Sequence, residues 1–414
     1  MLPLVETPVH KLKDYKAIIP KSLYQEIRSL AKRTKGLKIA MINSTPRGGG
    51  VAEMLKSLVP LMKDLGLNVE WYTIPAIGNI FDITKQIHNA LQGKEYRFFS
   101  SDKKKYLDYM KKIAKLIDKK DFDIWMVHDP QPIALASFVS GFSPALCRFH
   151  IDLSSPNKEV WSFVSQFLKD YEKIILSSKE YIENEIKDKA VVFPPGIDPL
   201  VPKNHLIPKK SAREILESVD ISPDKPLVSQ VFRFDYFKDP LGSLETYKIA
   251  KKKIPSLQLA LVGFFLASDD PEAVEVYKKT KERVGNDPDV FLFVDANKLS
   301  GLKVDTFVNA VQNGSDVILQ KSVKEGFGLT VTEAMWKKKA VVGGNVGGIK
   351  LQIEDGKNGF LVNNSQEAAQ RIIELLKNPS LAEKIGRAGR ETVRRKFLTP
   401  RVLRDYLKLF EEFI

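Results

Sequence analysis

Asp316-Val317-Ile318-Leu319-Gln320, followed by Glu325-Gly326-Phe327-Gly328-Leu329-Thr330-Val331-Thr332-Glu333-Ala334, is the stretch on which the reading of this chain turns. The first five residues form a short apolar run of the kind used by a buried parallel strand. A glycine loop comes next, and a helical pattern then runs through Trp336. Glu325 and Glu333 therefore stand eight residues apart, one on the loop and one about a turn into the helix. Loop amides at a helix N-terminus make a site for an anion. A carboxylate beside such a site accepts charge-assisted hydrogen bonds from sugar hydroxyls. This chemistry describes a pocket for a phosphate carrying sugars on both sides. The plainer alternative is a strand-to-helix turn with a surface Glu and a helical Glu.

Outward from that stretch, strand and helix signals alternate along the whole chain. Strands are expected over 37–43, 68–74, 123–129, 146–152, 172–177 and 190–193 in the first half. In the second half they are expected over 227–232, 257–263, 290–294, 316–320, 340–343 and 360–362. Helices are expected over 21–35, 51–65, 82–91, 103–117 and 241–252, with others after Gln366, and residues 1–36 read as a polar lead-in. Such alternation predicts α/β domains with parallel, doubly wound sheets. Pro194-Pro195-Gly196-Ile197-Asp198, then Pro199 and Pro202, interrupts regular structure. It places an interdomain linker at about 195–210. In doubly wound sheets ligands bind beyond the carboxyl ends of the strands. Gly49, in the loop Pro46-Arg47-Gly48-Gly49-Gly50, falls at that edge, as do Asp129 and His150. Three glycines between a strand and a helix let backbone approach a ligand closely; a plain tight turn is the alternative.

Composition narrows the function. The chain has 414 residues, 43% of them hydrophobic, enough for two substantial cores. Its formal charge is +14, which raises nucleic acid or an acidic membrane as partners. Lys and Arg are scattered in short runs such as Lys103-Lys104-Lys105, so solvated helix faces account for them, and the same field favours a nucleoside diphosphate. No basic-aromatic platform for single-stranded nucleic acid stands out. Cys147 is the single cysteine and reads as a core thiol, which leaves no disulfide and no zinc ribbon. The N-terminus does not read as a signal peptide, and no apolar run reaches the ~18 residues of a membrane span. A soluble cytoplasmic protein is expected. Gly-x-Ser-x-Gly and Walker motifs are absent. Asp121-Phe122-Asp123 and Asp287-Pro288-Asp289 each precede a strand and read as loop acids. A glycosidase would also use two carboxylates, but it has no need of cations and phosphate-type loops. Arg233 and Lys238, just past the strand over 227–232, suit a diphosphate leaving group. Their plain alternative is two surface cations in a basic protein.

Glu-x-Phe-Gly-Leu followed by x-x-x-Glu-Ala resembles the signature of the retaining GT-B glycosyltransferases of family 4, related to sucrose and glycogen synthases. The resemblance implies two facing doubly wound Rossmann-like domains with a deep interdomain cleft. It assigns residues 1–200 to an acceptor-side domain and 201–399 to a nucleotide-sugar domain, with the helix over 400–414 returning to the first. It implies that Glu325 lies beside the donor sugar and that Glu333 binds the ribose. Arg233-Phe234-Asp235-Tyr236-Phe237-Lys238-Asp239-Pro240 matches the family's phosphate-binding Arg and Lys. His150 is implied beside the transferred sugar, and Asp129 and Gln131 in an acceptor pocket. Gly49, Gly50, Asp152, Gly326, Phe327, Gly328 and Leu329 complete the implied binding set, and no metal ligand is named. Pro46 to Glu53, Val127 to Pro132 and Arg148 to Ser154 are similar to trehalose synthases of the glycosyltransferring type and to trehalose phosphorylases. That likeness covers nearly the whole chain after about residue 36; Phe149 stands where the family pattern has Cys. The implied reaction joins NDP-glucose (ADP, GDP or UDP) and glucose into α,α-trehalose, reversibly, in a homodimer. No cofactor is demanded, and Mg2+ is allowed as a diphosphate counterion. Trehalose phosphorylase, a sucrose-phosphate-synthase-like transferase and a non-catalytic sugar-binding protein remain as alternatives.

Overall fold

The computed structural model describes residues 1–47, 49–117, 121–264 and 272–414. Met1–Gly196 and Leu398–Ile414 make one compact unit; residues 197–264 and Glu272–Phe397 make a second.

The first unit is built on β1 (Lys38–Asn43), β2 (Asn68–Thr73), β3 (Ile124–His128), β4 (Ala145–Arg148), β5 (Lys173–Leu176) and β6 (Ala190–Val192). They lie in the order β2-β1-β3-β4-β5-β6, and every pairing is parallel. The second unit holds β7 (Leu227–Val231), β8 (Gln258–Val262), β9 (Val290–Phe293), β10 (Val317–Gln320), β11 (Ala340–Gly344) and β12 (Phe360–Val362). Their order is β12-β11-β10-β7-β8-β9, again all parallel. Parallel strands need helical crossovers on both faces, so their residues are apolar in succession rather than in alternation. β8 shows this. Leu259 and Leu261 face one core with Leu244, Tyr247 and Leu319, whereas Ala260 and Val262 face another with Phe307 and Val311.

The strand orders locate the sites. In the first sheet the chain steps from β1 outward to β2, then crosses to the other side of β1 for β3. In the second it runs β7-β8-β9 one way, then crosses to the other side of β7 for β10. Each crossing is a topological switch point, where the loops after the two strands diverge and leave a crevice.

Three expectations need revision. Residues 1–36 are more than a polar lead-in. Leu2, Leu12, Tyr15 and Ile19 are buried, and Val5 N donates to Trp71 O at 2.8 Å while Thr73 N donates to Pro3 O at 3.0 Å. This segment covers the outer edge of β2, which would otherwise present unpaired backbone groups. The strand expected over 146–152 ends at Arg148, because Asp129 N takes the Arg148 carbonyl and the backbone then turns. The helix Lys158–Leu168, capped by Asn157 through Glu159 N and Val160 N, was not expected.

The helix Thr399–Phe410 belongs to the first unit and packs on the helices Lys21–Arg33 and Gly50–Asp64. Tyr406 sends its ring to Phe193 and its hydroxyl to Arg148, which donates at 2.9 Å. Arg401 fastens the same helix to the carbonyls of Pro194 and Pro195 at 2.7 and 2.9 Å. Among the described residues no helix is long and apolar enough to cross a membrane.

Candidate active site

At the β7/β10 switch point the loop after β10 leads into the helix Leu329–Trp336. Gly328 caps it with φ of 87°, a left-handed conformation, and a Cβ there would also press on Glu325 Cγ at 3.2 Å. The amides of Gly328, Leu329 and Thr330 have no acceptor among the described residues, as expected of a helix start that offers an anion site. Gly348 packs against this loop so closely that a Cβ would fall 2.1 Å from Phe327 Cα. The glycines of Gly343-Gly344-Asn345-Val346-Gly347-Gly348 thus include one that serves loop-on-loop packing.

Glu325 is buried, contrary to the surface reading. Lys238 Nζ donates to both its carboxylate oxygens, at 2.7 and 2.6 Å, and Ser322 Oγ adds a bond at 3.1 Å. Lys238 itself is fixed by its backbone: its amide donates to Asp235 Oδ1 at 3.2 Å and its carbonyl accepts from Gln230 Nε2 at 2.8 Å. Arg233, about a third exposed, lies within 4.0 Å of Asp235 Oδ2. One turn into the helix, Glu333 is also buried and meets Lys203 Nζ at 2.9 Å. Below it Lys337 is sealed in, donating to Gln312 Oε1 at 2.7 Å and Asn204 Oδ1 at 3.2 Å. Burial pushes the Lys337 ammonium down to about 7, with Glu333 opposing and Lys203 adding to the fall.

The β1/β3 switch point carries a different set. Gly49 caps the helix Gly50–Asp64 in extended backbone, and a Cβ at Gly49 would meet nothing within 4 Å. Packing therefore does not demand glycine here, and the space before it is open. Gly48 lies outside the described residues. Asn43, at the end of β1, is held by Trp71 Nε1 at 2.7 Å and donates to Thr45 O at 2.8 Å. Past β3, Asp129 adopts φ of 65° and accepts the amide of His150 at 2.7 Å. Gln131 is buried and its Oε1 lacks a partner among the described residues, an orphan acceptor suited to a hydroxyl donor. His150, partly exposed, shares a 3.0 Å contact from its Nε2 to Nδ1 of the fully buried His128. Burial, with the Arg148 guanidinium nearby, keeps both imidazoles neutral: His128 is pushed down to about 3 and His150 well below its ordinary value.

Two family models match the chain: a trehalose synthase N-terminal domain over residues 41–183, and glycosyl transferases group 1 over 211–392. A trehalose synthase from Pyrococcus horikoshii is 44% identical over 401 residues, covering 96% of this chain and 95% of that one. The chain belongs to the trehalose synthase family of glycosyltransferases. A trehalose phosphorylase from Pleurotus pulmonarius is more distant, 26% identical over 93% of this chain and 58% of its own length. Among solved structures, sucrose-phosphate synthase from Thermosynechococcus elongatus superposes with a TM-score of 0.71 at 17% identity, over 91% of this chain and 98% of that one. That likeness shows the GT-B fold.

Within the trehalose synthase family frame, Glu325, Lys238, Gly326 and Gly328 converge on the β7/β10 switch point, with Arg233, Leu329 and Glu333 on the same loops and helix. Gly49, Gly50, Asp129, Gln131 and His150 cluster on the β1/β3 side. Two expected binding residues have other work. Phe327 packs its ring on Phe397 at 5.4 Å, and its carbonyl accepts from Gln352 Nε2 at 2.6 Å. Asp152 is buried and closes a local turn by accepting Ser154 N at 2.9 Å. Sequence reading missed Lys203, Lys337, Ser322 and the part of His128. Only His128 carried a signal, since it ends a strand one residue before Asp129.

Proposed function

We propose that the protein is a retaining glycosyltransferase that makes α,α-trehalose from a nucleoside-diphosphate glucose and glucose, and that runs backwards when trehalose and a nucleoside diphosphate are supplied. The observation that carries this reading is the two-oxygen grip of Lys238 on buried Glu325 beside a helix start with unpartnered amides. Charge develops on the diphosphate as its bond to the sugar breaks. Preorganised donors aimed at that charge contribute most to such reactions. Arg233, Lys238 and the amides of Gly328, Leu329 and Thr330 are the donors in this mechanism. Glu325 orients the donor sugar and, by holding Lys238, keeps the ammonium in one place. The acceptor hydroxyl attacks the anomeric carbon on the face that the diphosphate leaves, and its proton passes to the leaving phosphate oxygen. Glu333 holds the ribose hydroxyls, with Lys203 directing its carboxylate. Neutral groups suit the sugars: Gln131 Oε1 accepts from a hydroxyl, and His150 engages another without adding charge.

Glu333 also favours a nucleotide over inorganic phosphate, because a phosphorylase gives a ribose-binding carboxylate nothing to hold. In this reading protein cations meet the diphosphate, so no metal is required and Mg2+ is allowed as its counterion. Homodimeric assembly and a cytoplasmic place belong to the same proposal and rest on the family likeness. The test is to incubate the purified protein with trehalose and ADP, GDP, UDP or phosphate alone, and to analyse the products. NDP-glucose and free glucose are expected. Glucose 1-phosphate formed with phosphate alone would instead make the protein a phosphorylase, and no product under any condition would leave a sugar-binding protein.

A further inference from the structure

We infer that His128 is a positioning residue that sets the tautomer of His150: His128 Nδ1 donates to His150 Nε2, so His150 keeps its own proton on Nδ1. Building on the proposed trehalose-forming reaction, that N–H is the donor offered to a sugar oxygen.

A neutral imidazole has one N–H and one lone pair, and a cationic one has two N–H groups. Two cationic rings could not share the 3.0 Å contact between Nδ1 and Nε2, which requires one proton and one lone pair. Both rings lie beside Arg148, His128 fully buried and His150 partly so; the guanidinium is itself fully buried and donates to the Tyr406 hydroxyl and the Phe193 carbonyl. Adding a further positive charge there is unfavourable.

Two neutral arrangements remain. If His150 donated, the His128 proton would sit on its Nε2, and that atom is buried without a partner among the described residues. If His128 donates, the same atom carries only an unused lone pair. Stranded buried N–H groups are rarer in proteins than under-used acceptors, so the second arrangement wins. His150 is then forced to carry its proton on Nδ1, which has no partner among the described residues and is not among the sealed, unpartnered atoms. The backbone is held at the same time, because Asp129 Oδ1 accepts His150 N at 2.7 Å. Ring and main chain are thereby aimed together, as preorganised binding groups need to be.

The chain has five histidines, so histidine labelled with 15N gives spectra that single substitutions can assign. Long-range 15N–1H spectra of the substrate-free protein read the tautomer directly. His150 should carry its proton on Nδ1 in the wild type and in His128→Asn, whose amide nitrogen stands close to where the imidazole Nδ1 was. His128→Leu should lose that preference and lower kcat for trehalose formation about tenfold, the size of one hydrogen bond, with the KM for nucleotide unchanged. His128→Asn should restore most of that loss. A wild-type His150 protonated on Nε2 would overturn the inference even if His128→Leu fails to fold. An altered tautomer with unaltered kcat would overturn the donor role while leaving trehalose formation itself intact.

Discussion

The two switch points do the same architectural job with opposite chemistry. At the end of β7 and β10 buried carboxylates meet partly exposed cations, Glu325 with Lys238 and Glu333 with Lys203. Past β1, β3 and β4 the Asp129 carboxylate is taken up by the His150 amide, and the groups left for a ligand are neutral: two imidazoles sharing one bond, and Gln131 with an oxygen orphaned among the described residues. Removing one partner from a buried ion pair strands a charge, whereas an orphan neutral acceptor costs far less. The first arrangement suits a diphosphate whose charge changes during reaction. The second suits hydroxyls, which need directional partners and no net charge.

The largest effect that could break this contrast is at Lys238. Lys238→Met should lower kcat on the order of 10²–10³-fold, the scale for a donor aimed at developing charge. It should also lower the melting temperature, since Glu325 is left buried without its cation. Steady-state kinetics beside thermal unfolding separates the two, and a variant with undiminished kcat would remove Lys238 from the chemistry. Glu333→Gln comes next. A hydrogen bond to a charged group contributes about 1.5–3 kcal/mol, so the KM for the nucleotide substrate should rise about ten- to a hundredfold with little change for glucose. Gln131→Leu should act in the other direction of specificity. The KM for glucose should rise by up to about tenfold while nucleotide affinity stays put, as a neutral hydrogen bond allows.

The smallest effects sharpen the contrast through pH. Lys337 is pushed down to about 7 by burial, while in the unfolded chain a lysine titrates near ~10.4. Between those values the unfolded state binds more protons, so this group's contribution to stability grows as pH rises through that window and is lost as pH falls toward 7. Lys337→Met should flatten that part of the melting-temperature profile. On the other side, His128 is pushed down to about 3 from an ordinary ~6.5. The unfolded chain again binds the proton first, so stability should fall as pH drops below ~6.5, and His128→Asn should reduce that fall.

Much of the fold was legible because doubly wound sheets bury both strand faces: short unbroken apolar runs such as Ile39-Ala40-Met41-Ile42 and Leu259-Ala260-Leu261-Val262 fit a strand covered on both sides. Strand order was not legible. Nothing in the local sequence says that β3 returns to the far side of β1, or that β4 lies beside β3 with Arg148 opposite His128, the pairing that brings His128 near His150. The glycine loop, Arg233, Lys238 and both glutamates were readable as a motif, but their pairing was not. Lys203 reads as a polar residue in a proline-rich linker, and only tertiary packing puts it against Glu333. Phe327 and Asp152 also carry packing and turn contacts that no motif announces, because a motif names residues without saying whether backbone or side chain faces the ligand.

The return of Leu398–Ile414 to the first unit also bears on how the protein is made. A ribosome synthesises Met1–Gly196 well before the helix Thr399–Phe410 emerges, so for most of translation Arg148 lacks the Tyr406 hydroxyl and ring that hold it. The nascent first unit then lacks the helix that packs on Lys21–Arg33 and Gly50–Asp64. Its final consolidation therefore waits until the whole second unit has been synthesised.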